Sequence, residues 1–207
     1  MLFRSVLHGT VFGLIMGFAV LASGTAGAAP AVGKPAPDFT GTDAQGKTHR
    51  LADYKGSIVV LEWTNHQCPF VDKHYATGNM QKLQAAARKK GVIWLAVLSS
   101  APGEQGYLEP KEAQALSKKV KAAHTAKILD PKGTVGRLYG ARTTPHMYIV
   151  DKTGTLVYMG GIDDTPSTDY DDVKTAKNFV TAALDDIAGG TPVKTPVSRP
   201  YGCSVKY

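Results

Sequence analysis

Thiol chemistry in this chain of 207 residues rests on two side chains, Cys68 and Cys203. Cys68 stands directly before Pro69 in the stretch WTNHQCPFVDKHY, after an apolar run typical of a buried strand. Because proline is favoured at the first position of a helix, Cys68 is predicted to lie at a helix N-terminus. The unpaired N–H groups and the dipole of a helix start favour the thiolate, the form of cysteine that attacks disulfides, peroxides and metals.

Cys203 lies in the tail GGTPVKTPVSRPYGCSVKY, which has no apolar period and is predicted to be an extended arm. In an oxidising compartment two such cysteines can form a static disulfide, act as a redox couple or remain independent thiols. For Cys68 the alternative is a buried, inert thiol, because free cysteine is among the most buried residue types. Its polar neighbours Asn65, His66 and Gln67 argue against that alternative.

A metal site is the other chemistry to consider, since imidazole and thiolate suit copper or zinc and His66, Cys68 and His74 are close in sequence. His74 follows Cys68 by six residues of the predicted helix, a poor match in rotation, so no metal ligands are assigned. The sequence has no Gly-x-Gly-x-x-Gly after a strand and no Cys-x-x-Cys-His. We therefore predict no nucleotide, flavin or haem cofactor.

Residues 1–29 have the pattern of a secretory signal peptide. They contain one arginine, no acidic residue, an apolar run over 11–22 and small residues at Ala26 and Ala28. The apolar run is interrupted by glycines and is shorter than the roughly 20 residues that a membrane span needs. We therefore predict cleavage of this segment, export to the periplasm or the medium, and no stable membrane anchor.

Without Arg4 of the predicted signal peptide the formal net charge falls from +7 to +6, and it is spread over lysines in every segment of the remaining chain. No stripe of arginine and lysine alternates with aromatic residues, so a nucleic-acid partner is not predicted.

The remaining chain is predicted to form one α/β domain over residues 30–188, followed by the arm over 189–207. The predicted strands are a first hairpin that turns at 43–46, single strands over 57–63, 92–100 and 127–130, and a closing hairpin that turns at 152–154. The predicted helices cover 69–90, with a kink at Gly78, 110–123 and 171–187, and a helical turn covers 134–139. Strands joined through helices pair in parallel, and the closing hairpin adds an antiparallel edge. The prediction is a mixed central sheet flanked by helices.

These features together resemble the thioredoxin fold. They are the buried strand running into Trp63, the helix-start Cys68, the Thr-Thr-Pro that ends at Pro145 before HMYIVD, and the hairpin KTGTLVYMG. The segments VGKPAPDF and DAQGKTHRLADYKG are similar to the redoxin branch of that fold, the alkyl hydroperoxide reductase and thiol-specific antioxidant superfamily. Within it the chain most resembles the peroxiredoxin-like subgroup, whose members carry a single helix-start cysteine.

The resemblance places Cys68 at the first cysteine of a thioredoxin Cys-x-x-Cys motif, with Val71 where the second would stand. It makes Pro145 the proline that is cis in the family, which sets the backbone of Thr144 opposite the sulfur. The chain departs from the peroxiredoxin signature Pro-x-x-x-Thr/Ser-x-x-Cys, because counting back from Cys68 gives Leu61 at the proline position and Asn65 at the Thr/Ser position.

The resemblance implies an exported thiol-dependent oxidoreductase with antioxidant activity and with Cys68 as the thiolate nucleophile. Cys203 is the internal candidate for resolving a mixed disulfide, since Val71 cannot do so. The substrate pocket is expected to be formed by Asn65, His66, Pro69, Thr144 and Pro145. The expected partners are a small oxidant or a protein thiol or disulfide, together with an external thiol reductant. The alternative is a non-enzymatic binding module or a copper-handling metallochaperone on the same fold.

Overall fold

The structure is a computed structural model that describes residue 1 and residues 29–207. The predicted signal peptide therefore lies, apart from its two end residues, outside the described residues. The strands are β1 (Thr40–Asp43), β2 (Thr48–Arg50), β3 (Val59–Trp63), β4 (Ile93–Leu98), β5 (Ala126–Leu129), β6 (Thr143–Thr144), β7 (His146–Val150), β8 (Leu156–Gly160) and β9 (Cys203–Ser204). The helices are α1 (Pro69–Ala76), α2 (Asn79–Lys89), α3 (Pro110–Lys119), α4 (Thr134–Leu138) and α5 (Phe179–Ala188).

A mixed sheet with strand order β2-β1-β5-β4-β3-β7-β8 forms the centre of the molecule. Strands β3, β4 and β5 pair in parallel, and the other neighbours in the sheet pair antiparallel. Both predicted hairpins are present, as β1–β2 at one edge and β7–β8 at the other. The predicted mixed sheet is therefore confirmed.

Strand β3 is buried along its whole length, as its apolar sequence predicts. Its side chains alternate between two hydrophobic clusters, one on each face of the sheet. Leu61 and Trp63 pack on the face that α4 covers, whereas Val60 packs on the face that α2 and α5 cover. This central strand leads directly into the loop before Cys68.

The prediction of a single kinked helix over 69–90 is wrong, because the chain forms two helices, α1 and α2, in this range. Gly78 has φ 73°, a left-handed conformation that ends α1 and precedes the first residue of α2. Glycine adopts this conformation without the steric cost that a Cβ imposes, so the chain turns at Gly78 and does not merely bend.

The helix predicted over 171–187 begins only at Phe179. The side chain of Asn178 accepts a hydrogen bond from the Thr181 N–H at 2.8 Å and caps the new helix. The preceding residues Asp171–Lys174 form a separate 3₁₀ turn. The predicted apolar face is therefore correct for its second half only, where Val180 and Leu184 are buried.

The C-terminal arm is extended, as predicted, and it runs across the molecule in contact with the domain. Val197 bridges to Met159 of β8, β9 pairs antiparallel with β6, and Lys206 bridges to Ser100 after β4. No helix within the described residues combines the length and apolar character needed to cross a bilayer.

Candidate functional site

Cys68 occupies the N-cap position of α1, and Pro69 is the first residue of that helix. The predicted helix start is therefore confirmed. The Cys68 side chain is 0% exposed. An outside molecule cannot reach this sulfur without a rearrangement of the residues that cover it.

The sulfur of Cys68 does not accept a hydrogen bond from the N-terminal N–H groups of α1. It donates instead to the carbonyl oxygen of Thr144, at 3.1 Å. The Thr144–Pro145 peptide bond is cis, as the resemblance implied. The helix therefore stabilises a negative charge on Cys68 through its dipole and not through a hydrogen bond. The Thr144 carbonyl oxygen accepts a hydrogen bond from the protonated thiol.

Cys203 lies opposite the residue that binds the Cys68 sulfur. Strand β9 pairs antiparallel with β6 in a register that sets Cys203 opposite Thr144. Both cysteines are free thiols, and Cys203 is partly exposed. Burial, followed by the neighbouring Cys68 thiol, raises the pKa of Cys203 to about 12, so that Cys203 is protonated at neutral pH.

Gly202 allows the arm to lie this close. Its φ is +122°, and a Cβ built on it would overlap the carbonyl oxygen of Thr144. The position therefore requires glycine both for its backbone conformation and for the space beside β6. The neighbouring Cys203 depends on this close approach for its position.

A cluster of four polar side chains holds the arm at the residue before Gly202. We call Lys73, His74, Asp163 and Tyr201 the Tyr201 cluster. The hydroxyl of Tyr201 donates to Oδ1 of Asp163 and lies 3.5 Å from Nε2 of His74. The Lys73 ammonium lies 5.6 Å from the centre of the Tyr201 ring, on which Phe70 packs edge-on.

Burial dominates the ionisation of this cluster. It raises the pKa of Asp163 and of Tyr201, and together with the charge of Lys73 it lowers the pKa of His74 to about 3. His74 is therefore neutral at physiological pH and serves as a hydrogen-bonding partner of the arm.

The arm is also fixed beyond Cys203. The Ala101 N–H donates to the Lys206 carbonyl at 2.8 Å. The hydroxyl of Tyr207 donates to the Ala141 carbonyl at 2.7 Å, and the Arg137 guanidinium lies 4.4 Å from the centre of the Tyr207 ring. Cys203 is thus held between two anchored segments.

A groove of about 610 Å³ follows the arm on the side of Tyr201. It is lined by Thr143, Asp163, Asp164, Pro166, Phe179, Ser198, Arg199, Pro200, Tyr201 and Gly202. Because Gly202 and Thr143 belong to this lining, the groove ends next to the strand pair that carries Cys203.

The residues predicted to surround Cys68 are brought together only in part. Thr144 and Pro145 are buried, and the Thr144 carbonyl oxygen binds the Cys68 sulfur, whereas Pro69 is exposed. Asn65 is buried and holds the loop after β4, because its Nδ2 donates to the Gln105 carbonyl at 3.2 Å. His66 is half-buried, and its Nδ1 atom is buried without a hydrogen-bond partner.

His74 and His146 form hydrogen bonds with residues other than Cys68. His74 belongs to the Tyr201 cluster and accepts a hydrogen bond from Asn79 at 2.8 Å. Nδ1 of His146 accepts from the Arg142 N–H at 3.3 Å, and burial lowers the pKa of His146 to about 3. Within residues 29–207, no group of three or more histidine, cysteine or acidic side chains is arranged to hold a metal ion.

Comparison with known proteins adds to this geometry. A family model, that of the AhpC/TSA family, matches residues 32–159, more than half of the chain. The chain belongs to the AhpC/TSA family. The predicted redoxin superfamily is therefore confirmed. The match includes Cys68 and the cis proline and ends before the arm, so it does not bear on Cys203.

Named relatives of this AhpC/TSA member include the thiol-disulfide oxidoreductase ResA of Geobacillus thermodenitrificans. It is 30% identical over 128 residues, which are 62% of this chain and 68% of that protein. The solved structure of a hypothetical protein from Sinorhizobium meliloti is 25% identical, with a TM-score of 0.69 over 87% of this chain and 96% of that one.

The thioredoxin domain of a thiol-disulfide oxidoreductase from Bacteroides vulgatus is 22% identical. Its TM-score is 0.51, over 70% of this chain and 96% of that one. This likeness confirms the predicted thioredoxin-like fold of the AhpC/TSA chain.

One buried acid of this AhpC/TSA member was not predicted from the sequence. Glu62, in β3, is 0% exposed. Its carboxylate accepts hydrogen bonds from Tyr75 at 2.8 Å, from Gln84 at 2.9 Å and from the indole of Trp94 at 2.7 Å. The detectable signal was a single acid inside the apolar run IVVLEW, because an unpaired carboxylate is rarely placed in a buried strand.

We expect Glu62→Gln to flatten the pH dependence of stability. Burial raises the pKa of Glu62 above its ordinary value of 4.5. As the pH rises above that value the unfolded chain loses a proton that the folded chain keeps, so the free energy of unfolding falls, by at most about 1.4 kcal/mol per pH unit. Urea titrations from about pH 5 to about pH 8 measure the slope.

Glu104→Gln, at an exposed position, is the control and should keep the wild-type slope. A Glu62→Gln slope equal to that of the wild type would contradict the expectation.

Proposed function

We propose that this chain is a thiol-disulfide oxidoreductase in which Cys68 and Cys203 alternate between a dithiol and a disulfide. The observation that carries the proposal is the register of β9 on β6, which sets Cys203 opposite Thr144, the residue whose carbonyl oxygen accepts the hydrogen bond of the Cys68 thiol. Membership of the AhpC/TSA family and the relatives named thiol-disulfide oxidoreductase support it.

Cys68 is the nucleophile of this couple. The N-terminal dipole of α1 favours a negative sulfur there, whereas burial beside Cys68 disfavours ionisation of Cys203. Cys203 takes the resolving role that Val71 cannot fill, since release of a mixed disulfide needs a second thiol. One cycle moves two electrons and two protons between the pair and a partner.

The partners that this chemistry needs are a protein thiol or disulfide and an external thiol reductant. We place the reaction outside the cytoplasm, because residues 1–29 have the pattern of a signal peptide and disulfides form and persist in oxidising compartments. The groove along the arm offers room for a polypeptide beside Cys203.

Reduction of a small oxidant is the second candidate, and the family match favours it. A hydroperoxide would oxidise one sulfur to a sulfenic acid, which then condenses with the other thiol to form the same disulfide. Stopped-flow oxidation of the reduced protein by hydrogen peroxide, beside insulin reduction, separates the two candidates.

The couple itself is tested by counting thiols. The reduced protein should titrate with two thiols; after mild oxidation by diamide it should titrate with none, and mass spectrometry of the digest should find the peptides of Cys68 and Cys203 joined. Cys203→Ser and Cys68→Ser should each leave one thiol that forms no internal bond. Two persistent thiols in the oxidised wild type would refute the couple.

Activity is tested with the same variants. Cys68→Ser should reduce insulin turnover to the uncatalysed background. If the wild type turns over neither insulin nor peroxide faster than Cys68→Ser, the chain is a binding module and not an enzyme.

A further inference from the structure

The exposed basic side chains of α2, α3 and the turn after α3 form a charged surface that the redox site does not use. Residues 73–103 and 113–129 contain no aspartate or glutamate. We call the following exposed residues of these stretches the basic face: Lys82, Arg88, Lys89, Lys118, Lys119 and Lys121. Among the described residues none of them has an ion-pair partner, whereas the neighbouring Lys90 pairs with Asp185 at 3.0 Å.

Helices α2 and α3 lie side by side, so their charges share one surface. Nε2 of Gln81 donates to the Val120 carbonyl at 2.7 Å, and the Arg88 guanidinium donates to the Ala123 carbonyl at 3.2 Å. The acid of α3, Glu112, lies in its first turn, at the end of the helix away from the lysines. The basic face is therefore not neutralised by an acid of its own helices.

Most of the basic face lies at the sheet edge opposite Cys68. A helix that joins two parallel strands ends at the edge where the second strand begins. Helix α2 ends at Lys89, before β4 begins at Ile93. Helix α3 ends at Lys119, before β5 begins at Ala126. Cys68 follows the end of β3 and lies at the other edge, so a surface that binds the basic face leaves the redox site open to solvent.

The helix dipole explains only part of the basic face. Basic residues in the last turn of a helix interact favourably with its C-terminal end, which accounts for Arg88 and Lys89 in α2 and for Lys118 and Lys119 in α3. Lys82 lies within the first turn of α2, near the end where the same dipole disfavours a positive charge. The charge of Lys82 therefore needs another explanation.

Lys121 occupies a position that suits glycine. It is the one non-glycine residue with a positive φ among the described residues, at 52°, and it follows Val120, the C-cap of α3. At the same place after α2 the chain has Gly91, with φ 78°. Glycine adopts this conformation without the steric cost that a Cβ imposes. A lysine held there against that cost indicates a use for its charge.

The composition of the basic face fits phosphate groups spread over a surface. Lysine binds phosphate as a point charge, whereas arginine recognises fixed phosphate positions through paired hydrogen bonds. The only arginine of the face, Arg88, already donates to the backbone of Ala123. Helices α2 and α3 contain no aromatic residue on which a nucleic-acid base could stack. These features favour a layer of lipid headgroups over a nucleic acid.

We propose that the basic face docks the protein reversibly on a bilayer surface rich in anionic phospholipids, with the redox site turned away from the bilayer. None of the exposed large apolar residues of the described chain belongs to α2 or α3, so the docking is electrostatic and inserts no helix. Each lysine near such a surface contributes about fivefold to the partition coefficient. The inference is independent of the Cys68–Cys203 couple.

Vesicle co-sedimentation tests the docking. The protein is expressed with its leader, and the mass of the purified chain shows whether residues 1–29 remain; any that do are common to all variants. We expect binding to vesicles of phosphatidylglycerol and phosphatidylcholine at about 0.05 M NaCl, and none at about 0.5 M, where the screening length falls to about 4 Å. No binding to these vesicles, or equal binding to pure phosphatidylcholine, overturns the inference.

Two double variants locate the surface. Lys118→Gln with Lys119→Gln should lower the partition coefficient at least about tenfold. Lys132→Gln with Lys177→Gln is the control, because it removes the same charge at exposed positions and should lower the coefficient less than about threefold. Lys132 follows the end of β5, and the backbone of Lys177 bonds to Asp164 beside the groove along the arm. Circular dichroism checks that both variants fold, and equal losses in the two overturn the inference.

Lys121→Gly separates charge from stability. The variant should bind the phosphatidylglycerol vesicles about fivefold more weakly. Its urea midpoint should stay the same or rise, because glycine relieves the strained backbone. Wild-type binding by this variant would contradict the inference. Salt-sensitive binding of a DNA duplex that depends on Lys118 and Lys119, without vesicle binding, would assign the basic face to a nucleic acid and also overturn it.

Discussion

Replacing Gly202 with alanine should separate the two cysteines. A Cβ at this position overlaps the Thr144 carbonyl oxygen, and the φ of +122° is unfavourable for any residue with a side chain. The arm must therefore move away from β6 at the residue next to Cys203. We expect the effective concentration of Cys203 at Cys68 to fall about tenfold or more, because small displacements strongly reduce the rate of a reaction between positioned groups.

The measurement for Gly202→Ala is the equilibrium of the couple with glutathione. A tenfold loss makes the reduction potential less negative by about 30 mV. Gly190→Ala is the matched control, since Gly190 also has a positive φ, +69°, but a Cβ there meets no atom within 4 Å. Gly190→Ala also places a side chain at a positive φ but without an overlap, so it should keep the wild-type potential. An unchanged potential in Gly202→Ala would mean that the close approach to Thr144 does not position Cys203.

Tyr201→Phe should loosen the arm from the domain. The variant keeps the ring that packs on Phe70 and Lys73 but removes the hydroxyl that donates to Asp163. The buried carboxylate then loses a hydrogen bond, which costs about 1–3 kcal/mol. Urea unfolding measures the loss, and the rate of Cys68 alkylation by iodoacetamide should rise because the cover opens more often.

Tyr170→Phe is the control for this variant. The hydroxyl of Tyr170 also donates to an aspartate, Asp72, but at an exposed site. Such surface contacts contribute little, so stability should change by less than about 0.5 kcal/mol and Cys68 alkylation should stay at the wild-type rate. Matching effects in the two variants would show that the Tyr201 hydroxyl does not hold the arm.

The sequence predicted those parts of the fold and site that depend on neighbouring residues. Cys68 followed by Pro69 marks a helix start whatever the rest of the chain does, and the two hairpins are marked by their turn residues. The two wrong helix boundaries also depend on single residues. Gly78 separates α1 from α2, and Asn178 caps the start of α5, but both lie within longer apolar patterns that favoured one continuous helix.

The position of the arm could not be read from periodicity. Tyr201 reaches Asp163 and His74, and Tyr207 reaches Ala141, across large separations along the chain. A proline-rich segment without an apolar repeat gives no sign of the surface on which it lies. The sequence could therefore name Cys203 as a candidate, whereas its placement opposite Thr144 required the three-dimensional structure.

The pairing of β9 with β6 has a consequence for how firmly the molecule resists unfolding. A bond between Cys68 and Cys203 would enclose well over half of the chain in a covalent ring. Closing a ring of that size restricts the denatured ensemble and is worth about 4–5 kcal/mol in the chain-entropy account. The oxidised form should thus survive a protease that digests the reduced form, and resistance to digestion would report the redox state of the protein.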